Sequence, residues 1–310
     1  MNKKLKGNIL LYKSSKLIFN NSIVSAITVL FFFQPSILIS STQLLRDPFF
    51  ILGICIMCYG WAIFKKNNLG IVLILIGTVL FFSMRAYLSV ALFMIFFLYS
   101  IKLILNKEKS ISTVSLLIVP IFMLLALQDT SHLETLSDFK VDIQNNSYKG
   151  ENILDPLPIQ NTVYWQPVTR AVNILAYKLS DMRIGFLTVN RAAGSKIDDD
   201  KTYNSFVDAI LYFPRVVQVA FLSPFPSHWI ETGKETGRIG RMLSGLEMLS
   251  WYFIILGFFY IVFTKPLVIE PLLPIIILSV FIIILLGYVV PNIGAIYRMR
   301  QGFMIPFYMV

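Results

Sequence analysis

Seven stretches of this chain run for roughly 16 to 21 residues with at most one charge each: Ser22 to Ser41, Pro48 to Phe64, Leu69 to Met84, Tyr87 to Leu105, Ile111 to Leu127, Leu243 to Phe263 and Leu272 to Val290. A helix of about 20 residues crosses the ~30 Å hydrocarbon layer of a bilayer. Lipid offers the backbone no hydrogen-bond partner, so such runs close their bonds internally as helices. The expected fold class is therefore all-α, a polytopic integral membrane bundle of about seven transmembrane helices. Composition agrees: 56% of the 310 residues are hydrophobic, 14% are charged, and the mean hydropathy is +0.71. An ordinary soluble enzyme is excluded, because soluble chains carry close to twice that share of charge.

The runs divide the chain into an N-terminal bundle of five helices (1–127), a long polar segment (128–242) and two C-terminal helices (243–310) followed by a short apolar run, Gly302 to Val310. That run is less than half of what a crossing needs, and reads either as a half-inserted last helix or, the preferred reading, as the start of a helix in a fragment of a longer chain. The first run follows Lys3, Lys4 and Lys6, as a signal peptide would, but no small-residue cleavage pattern follows Ser41, and it is kept as a span. The second and third runs contain little chemistry. Cys55 and Cys58 form an isolated CxxC inside an apolar helix, and with only two histidines, His132 and His228, no metal cage is expected.

The net charge of +10 could suggest nucleic acid, but its distribution says otherwise. Placing the N-terminus in the cytoplasm puts Lys3, Lys4, Lys6, Lys13, Lys16, Lys65, Lys66, Lys102, Lys107, Lys109 and Lys265 on one side, against Arg46, Arg85, Arg298 and Arg300 on the other. This eleven-to-four bias satisfies the positive-inside rule. The segment 128–242 then lies outside with 12 basic and 13 acidic residues, so the surplus charge reports topology.

A loop of about 115 residues is far longer than ordinary connections, which marks it as functional or disordered. Val168, Ala171, Val172, Leu175, Leu179, Met182 and Phe186 recur at helical spacing opposite Arg170, Asn173, Lys178 and Asp181, which predicts an amphipathic helix lying on the membrane or the bundle. Ala209 to Leu222 is apolar apart from Arg215 and Gln218 and too short to cross, so it reads as re-entrant or interfacial. Turn motifs surround these helices, including Ser223-Pro-Phe-Pro-Ser-His-Trp229 and Gly237-Arg-Ile-Gly-Arg241.

Six arginines, Arg191, Arg215, Arg238, Arg241, Arg298 and Arg300, fall at or near the predicted outer face, where topology alone would not put them. An arginine at a helix centre costs about 2.5–3.5 kcal/mol on insertion scales, so such a cluster needs partners. Its planar fork matches phosphate oxygens, and the alternatives are lipid headgroups and ion pairs with neighbouring acids. An external enzyme has no ATP and this chain has no P-loop, so a substrate already activated on the membrane, a lipid-linked diphosphate sugar, fits best. Its transfer needs cations for the leaving diphosphate and a base for the acceptor hydroxyl. Glu247 inside the sixth span, His228 and Asp198 are the base candidates, with Asp208 behind them.

Short-looped helices, one large external loop carrying arginines, and the motif Asn292-Ile-Gly-Ala-Ile-Tyr-Arg-Met-Arg300 before the closing helix resemble O-antigen polymerase-like proteins of bacterial surface polysaccharide synthesis. The resemblance implies a membrane glycosyltransferase that moves an oligosaccharide from undecaprenyl diphosphate onto the next lipid-linked repeat. It implies no cofactor or metal, and partners that are lipid-linked oligosaccharide, membrane lipids and polysaccharide assembly proteins. Location would be the bacterial cytoplasmic membrane, with Arg215, Arg241, Arg298 and Arg300 as external arginines of the expected type; because the sixth and seventh helices flank the loop's end, these four are expected to line an outward cavity there. A flippase for the same glycan would show mid-span acids and an internal repeat, which are not evident. A non-catalytic scaffold of an assembly complex is the other alternative.

The charge bias generates the first testable expectation. Single cysteines at Lys107 and Ser147, probed with an impermeant thiol reagent in intact cells, should label at 147 and not at 107. The reverse pattern overturns the orientation.

Overall fold

The computed structural model describes residues 9, 12–17, 34, 47–64, 67–84, 88–105, 166–189, 194–230 and 237–310. Among these residues the regular elements are helical, and the β pairing is a single antiparallel bridge between Lys196 and Asn292. The helices are α1 (Asp47–Phe64), α2 (Leu69–Met84), α3 (Ser89–Leu105), α4 (Gln166–Val189), α5 (Phe206–Leu222), α6 (Gly237–Thr264), the one-turn α7 (Pro266–Ile269), α8 (Leu273–Val289) and α9 (Ile293–Tyr308). Three segments are long and apolar enough to cross a membrane: α1, α6 and Pro266–Val289, which takes in α7 and α8. α2 and the Met94–Leu103 stretch of α3 are apolar but shorter. The expected spans at 22–41 and 111–127 lie outside the described residues, apart from Gln34. The short run that opens at Gly302 begins no separate helix, since α9 starts at Ile293 and carries it.

α1 and α2 make the closest helix pair. Gly53 and Gly60 on α1 are seven apart, as are Gly70 and Gly77 on α2, and in the antiparallel hairpin Gly53 meets Gly77 while Gly60 meets Gly70. A Cβ at Gly60 would sit 2.9 Å from the Gly70 carbonyl, and one at Gly77 would sit 2.7 Å from that of Gly53. Between apolar helices in lipid, association comes from dispersion at short range, and small residues permit it. Thr78 is buried in the same seam and donates to Met57 Sδ at 3.5 Å.

α8 is the hub. α3, α4, α5 and α9 all pack on it, and Gly287 admits α5 so closely that a Cβ there would lie 2.9 Å from that of Ala220. α6 lies at the edge, burying Gly245, Glu247, Met248 and Trp251 while exposing Phe253, Leu256, Tyr260 and Phe263 by 65–82%. Water would penalise so large an apolar face, and hydrocarbon does not.

α4 is the expected helix, and its expected apolar stripe is divided: Leu175 and Met182 are more than half exposed, Leu179 and Phe186 pack against neighbouring elements, and Ala176, Ser180 and Arg183 are buried. In lipid the apolar side of an amphipathic helix belongs outside, and the polar groups turn inward to find partners. Ser180 Oγ accepts from the Tyr203 amide at 2.9 Å, and Asn173 Oδ1 accepts from the Phe206 amide at 3.0 Å, so α4 docks the start of α5.

The glycine seam makes a direct test available. Gly60→Val and Gly77→Val force a side chain onto the opposite backbone and should destabilise by about 1–3 kcal/mol or more. Gly257→Val on α6, where a Cβ meets nothing within 4 Å, should be silent. Thermal midpoints of the detergent-purified variants check this, and equal midpoints for all three refute the seam.

Candidate functional site

The site is built on the end of α5. A helix leaves its last four carbonyls unpaired, and in an apolar setting each needs a donor. The Ser223 amide reaches Val219 O at 3.3 Å, Arg300 Nη1 reaches Ala220 O at 2.6 Å, the Trp251 indole reaches Phe221 O at 2.8 Å, and the Tyr252 hydroxyl reaches Leu222 O at 2.7 Å. Arg300 Nη2 also donates to Ser223 O, and lies 2.8 Å from Met248 Sδ. Arg300 is fully buried, and its cation stands where the helix dipole is negative.

The turn that follows, Ser223–Trp229, is held from three directions. The Trp229 indole donates to Pro224 O at 2.9 Å and its ring lies against Gly245 of α6, where any Cβ would be 2.6 Å from it. Arg241 Nη1 donates to His228 O at 3.4 Å. The Arg215 guanidinium stands 5.7 Å from the centroid of the Phe225 ring. Three expected arginines thus converge on one turn, but they grip it rather than present themselves to a ligand.

Arg215 is engaged further. Its Nε and Nη2 donate to the two Asp198 oxygens at 2.9 and 3.2 Å, its Nη1 reaches Gln218 Oε1 at 2.8 Å, and the Tyr212 hydroxyl donates to Asp198 at 2.6 Å. Partial burial works against the Asp198 carboxylate, yet the hydrogen bonds from Arg215 and Tyr212, with the Arg215 and Arg183 charges, outweigh it and hold the group below the usual range. Burial, and the bond to Asp198, push the Tyr212 hydroxyl up, and burial raises that of Tyr203 to about 12. Such an Asp198 is a stable anion and a poor proton acceptor.

Arg183 does for α8 what Arg300 does for α5. Almost wholly buried, it donates through Nη1 to Tyr288 O at 3.0 Å and through Nη2 to Ile197 O and Asp198 O at 3.3 and 2.6 Å. The 195–198 segment is pinned to the α8–α9 junction by Ile197 N to Pro291 O and Ile293 N to Ser195 O. Asn292 caps α9 by accepting from the Ala295 amide at 3.0 Å. The motif around Arg298 and Arg300 is therefore helical from Ile293, and the two side chains diverge: Arg300 is buried and Arg298 is exposed. The expected single cavity lined by both is corrected accordingly.

Glu247 lies 7% exposed in α6 and accepts a hydrogen bond from the Tyr297 hydroxyl of α9. Arg238 is exposed at the start of α6, as Arg298 is on α9, and among the described residues neither makes a hydrogen bond or ion pair. His228 contacts Ser227 Oγ through Nδ1 at 3.2 Å and packs beside Phe225. Asp208 sits in the first turn of α5, its amide capped by Ser205 Oγ at 3.2 Å. Arg191 lies outside the described residues. Among them no three His, Cys, Asp or Glu side chains group to hold a metal. Sequence reasoning missed Arg183 and Tyr297. The first was signalled by the small-polar stripe Ala176, Ser180 and Arg183, while nothing local singles out the second.

Comparison with protein-family models, with curated proteins and with solved structures finds no match to this chain.

The Asp198–Arg215 bridge predicts a pH dependence. With the folded carboxyl held below its unfolded value, the bridge stabilises fully above the ordinary Asp range, near pH 4, and its contribution fades as pH falls through the depressed value. The groups are partly solvated, so the effect is about 1 kcal/mol or less. The melting gap between wild type and Asp198→Asn should be constant from pH 7 to 5 and shrink below about 4. A gap unchanged at pH 3 contradicts the pairing.

Proposed function

We propose that the protein is a glycan polymerase of the bacterial cytoplasmic membrane, with its N-terminus in the cytoplasm and residues 128–242 outside. It transfers an oligosaccharide from undecaprenyl diphosphate onto a second lipid-linked repeat. The observation that carries this reading is Glu247: a buried carboxylate in an apolar helix, held by a tyrosine hydroxyl, two residues from Gly245, on which Trp229 of the arginine-gripped turn packs. An acid at such a position costs stability and marks a functional site by default.

In the proposed step an acceptor-sugar hydroxyl attacks the anomeric carbon of the donor glycan. The new glycosidic C–O bond forms as the bond from that carbon to the phosphate oxygen breaks. The hydroxyl proton passes to the Glu247 carboxylate, and undecaprenyl diphosphate leaves with its charge met by cations. Arg298 and Arg238, exposed and unpaired among the described residues, are suited to that task. Arg215, Arg241 and Arg300 are assigned to holding the turn. Asp198 is set aside as base because its oxygens already accept from Arg215 and Tyr212.

A non-catalytic scaffold for polysaccharide assembly is the second reading, and the internal use of Arg215, Arg241 and Arg300 favours it. Chain length on gels, at matched membrane abundance, separates the two. Arg298→Lys and Arg238→Lys keep charge but lose the bidentate fork, so under the polymerase reading they shorten or deplete polymer, and Glu247→Gln abolishes it. Arg300→Lys instead lowers the amount of folded protein in the membrane. Normal polymer from Arg298→Lys, Arg238→Lys and Glu247→Gln together discards the polymerase in favour of the scaffold.

A further inference from the structure

We infer that Tyr297 is the positioning residue for Glu247, an assignment that rests on the polymerase reading given above. Tyr297, Arg300, Met304 and Tyr308 fall at i, i+3, i+7 and i+11 along α9 and so share one face. Tyr297 and Arg300 turn that face toward α6, where Glu247 accepts from the Tyr297 hydroxyl and Met248 meets the Arg300 guanidinium. The Arg300 guanidinium also lies 5.8 Å from the centroid of the Tyr297 ring. Arg300 itself cannot turn, because the carbonyls of Ala220 and Ser223 hold both its terminal nitrogens. The order of dependence is therefore fixed: the end of α5 holds Arg300, Arg300 holds the face of the Tyr297 ring, and the Tyr297 hydroxyl holds one Glu247 oxygen. Tyr308, which senses both Glu247 and Arg300 and donates to Gln34 Oε1 at 2.9 Å, and Tyr252, which senses Arg300, also lie within electrostatic reach.

With one oxygen held by Tyr297, the carboxylate has a set orientation toward the acceptor hydroxyl. A free glutamate samples several rotamers, and orientation of this kind is worth large factors in rate. Tyr297 touches no reacting atom. Its loss should therefore lower turnover without changing substrate affinity, and only through Glu247.

The test uses the full chain in detergent, with undecaprenyl-diphosphate oligosaccharide extracted from a strain lacking this protein as substrate. Wild type, Tyr297→Phe, Glu247→Gln and the double variant are compared, each with its thermal midpoint. The expected result is that Tyr297→Phe lowers kcat about 10- to 100-fold with KM within about two-fold. Glu247→Gln lowers kcat further, and adding Tyr297→Phe to it changes nothing more. A Tyr297→Phe enzyme with normal kcat, a raised KM, or an effect that multiplies with that of Glu247→Gln overturns the positioning role while leaving the polymerase reading intact. Full activity of Glu247→Gln, or a deletion strain that accumulates no such lipid, overturns the polymerase reading and this inference with it. If Tyr297→Phe melts well below wild type, Tyr297→Trp serves as the second variant: it fills the space without a hydroxyl at that position, and normal kcat in it overturns the role.

Discussion

A helix that ends inside an apolar bundle must find donors for its last carbonyls, and the described structure is organised by how α5 finds them. Its four terminal carbonyls take one backbone amide, one guanidinium, one indole and one hydroxyl, drawn from Ser223, Arg300, Trp251 and Tyr252. Those side chains come from α6 and α9, so closing the end of one short helix fixes where two others stand. The desolvation cost of an unmet carbonyl, about 1–3 kcal/mol each, is what makes the arrangement specific.

The same rule repeats at the other break. α8 stops at Val289, and Arg183 from α4 meets the Tyr288 carbonyl together with those of Ile197 and Asp198. Two buried arginines thus serve two helix ends, each from an element remote in sequence. A guanidinium suits this role because its fork can bind several carbonyls at once, which a lysine ammonium does with poorer geometry. Burial of the charge is tolerated because carbonyl dipoles surround it, and for Arg183 the Asp198 carboxylate lies within electrostatic reach. The tyrosines complete the pattern: Tyr203 donates to Tyr288 O, and Tyr288 in turn donates to Ala209 O.

This division of labour among arginines shapes the functional reading. Arg300, Arg215 and Arg241 are bound to the protein's own groups, while Arg298 and Arg238 face outward. The arginines are therefore of two kinds, those held by the protein's own groups and those left exposed. Glu247 of α6 faces α9 and is joined to Arg300 through the Tyr297 ring.

The helical, membrane-suited character of the chain was legible from the sequence because lipid imposes one solution on any long apolar run, and that constraint acts locally. The apolar runs from Pro48, Leu69, Leu243 and Leu272 each coincide with a helix, and the stretch ending at Leu222, too short to cross, is a helix that stops there. Arg215, Arg241 and Arg300, expected from the sequence to line an outward cavity, are instead bonded to the protein's own groups around one turn. What the sequence left open depends on contacts between residues far apart in the chain. Which face of α4 turns inward, which of Arg298 and Arg300 is buried, and that Tyr297 meets Glu247 across 50 residues follow from how α5, α6, α8 and α9 pack. Spacing along one helix states which side chains share a face, but only a neighbouring helix decides whether that face is covered, and by which donor or acceptor.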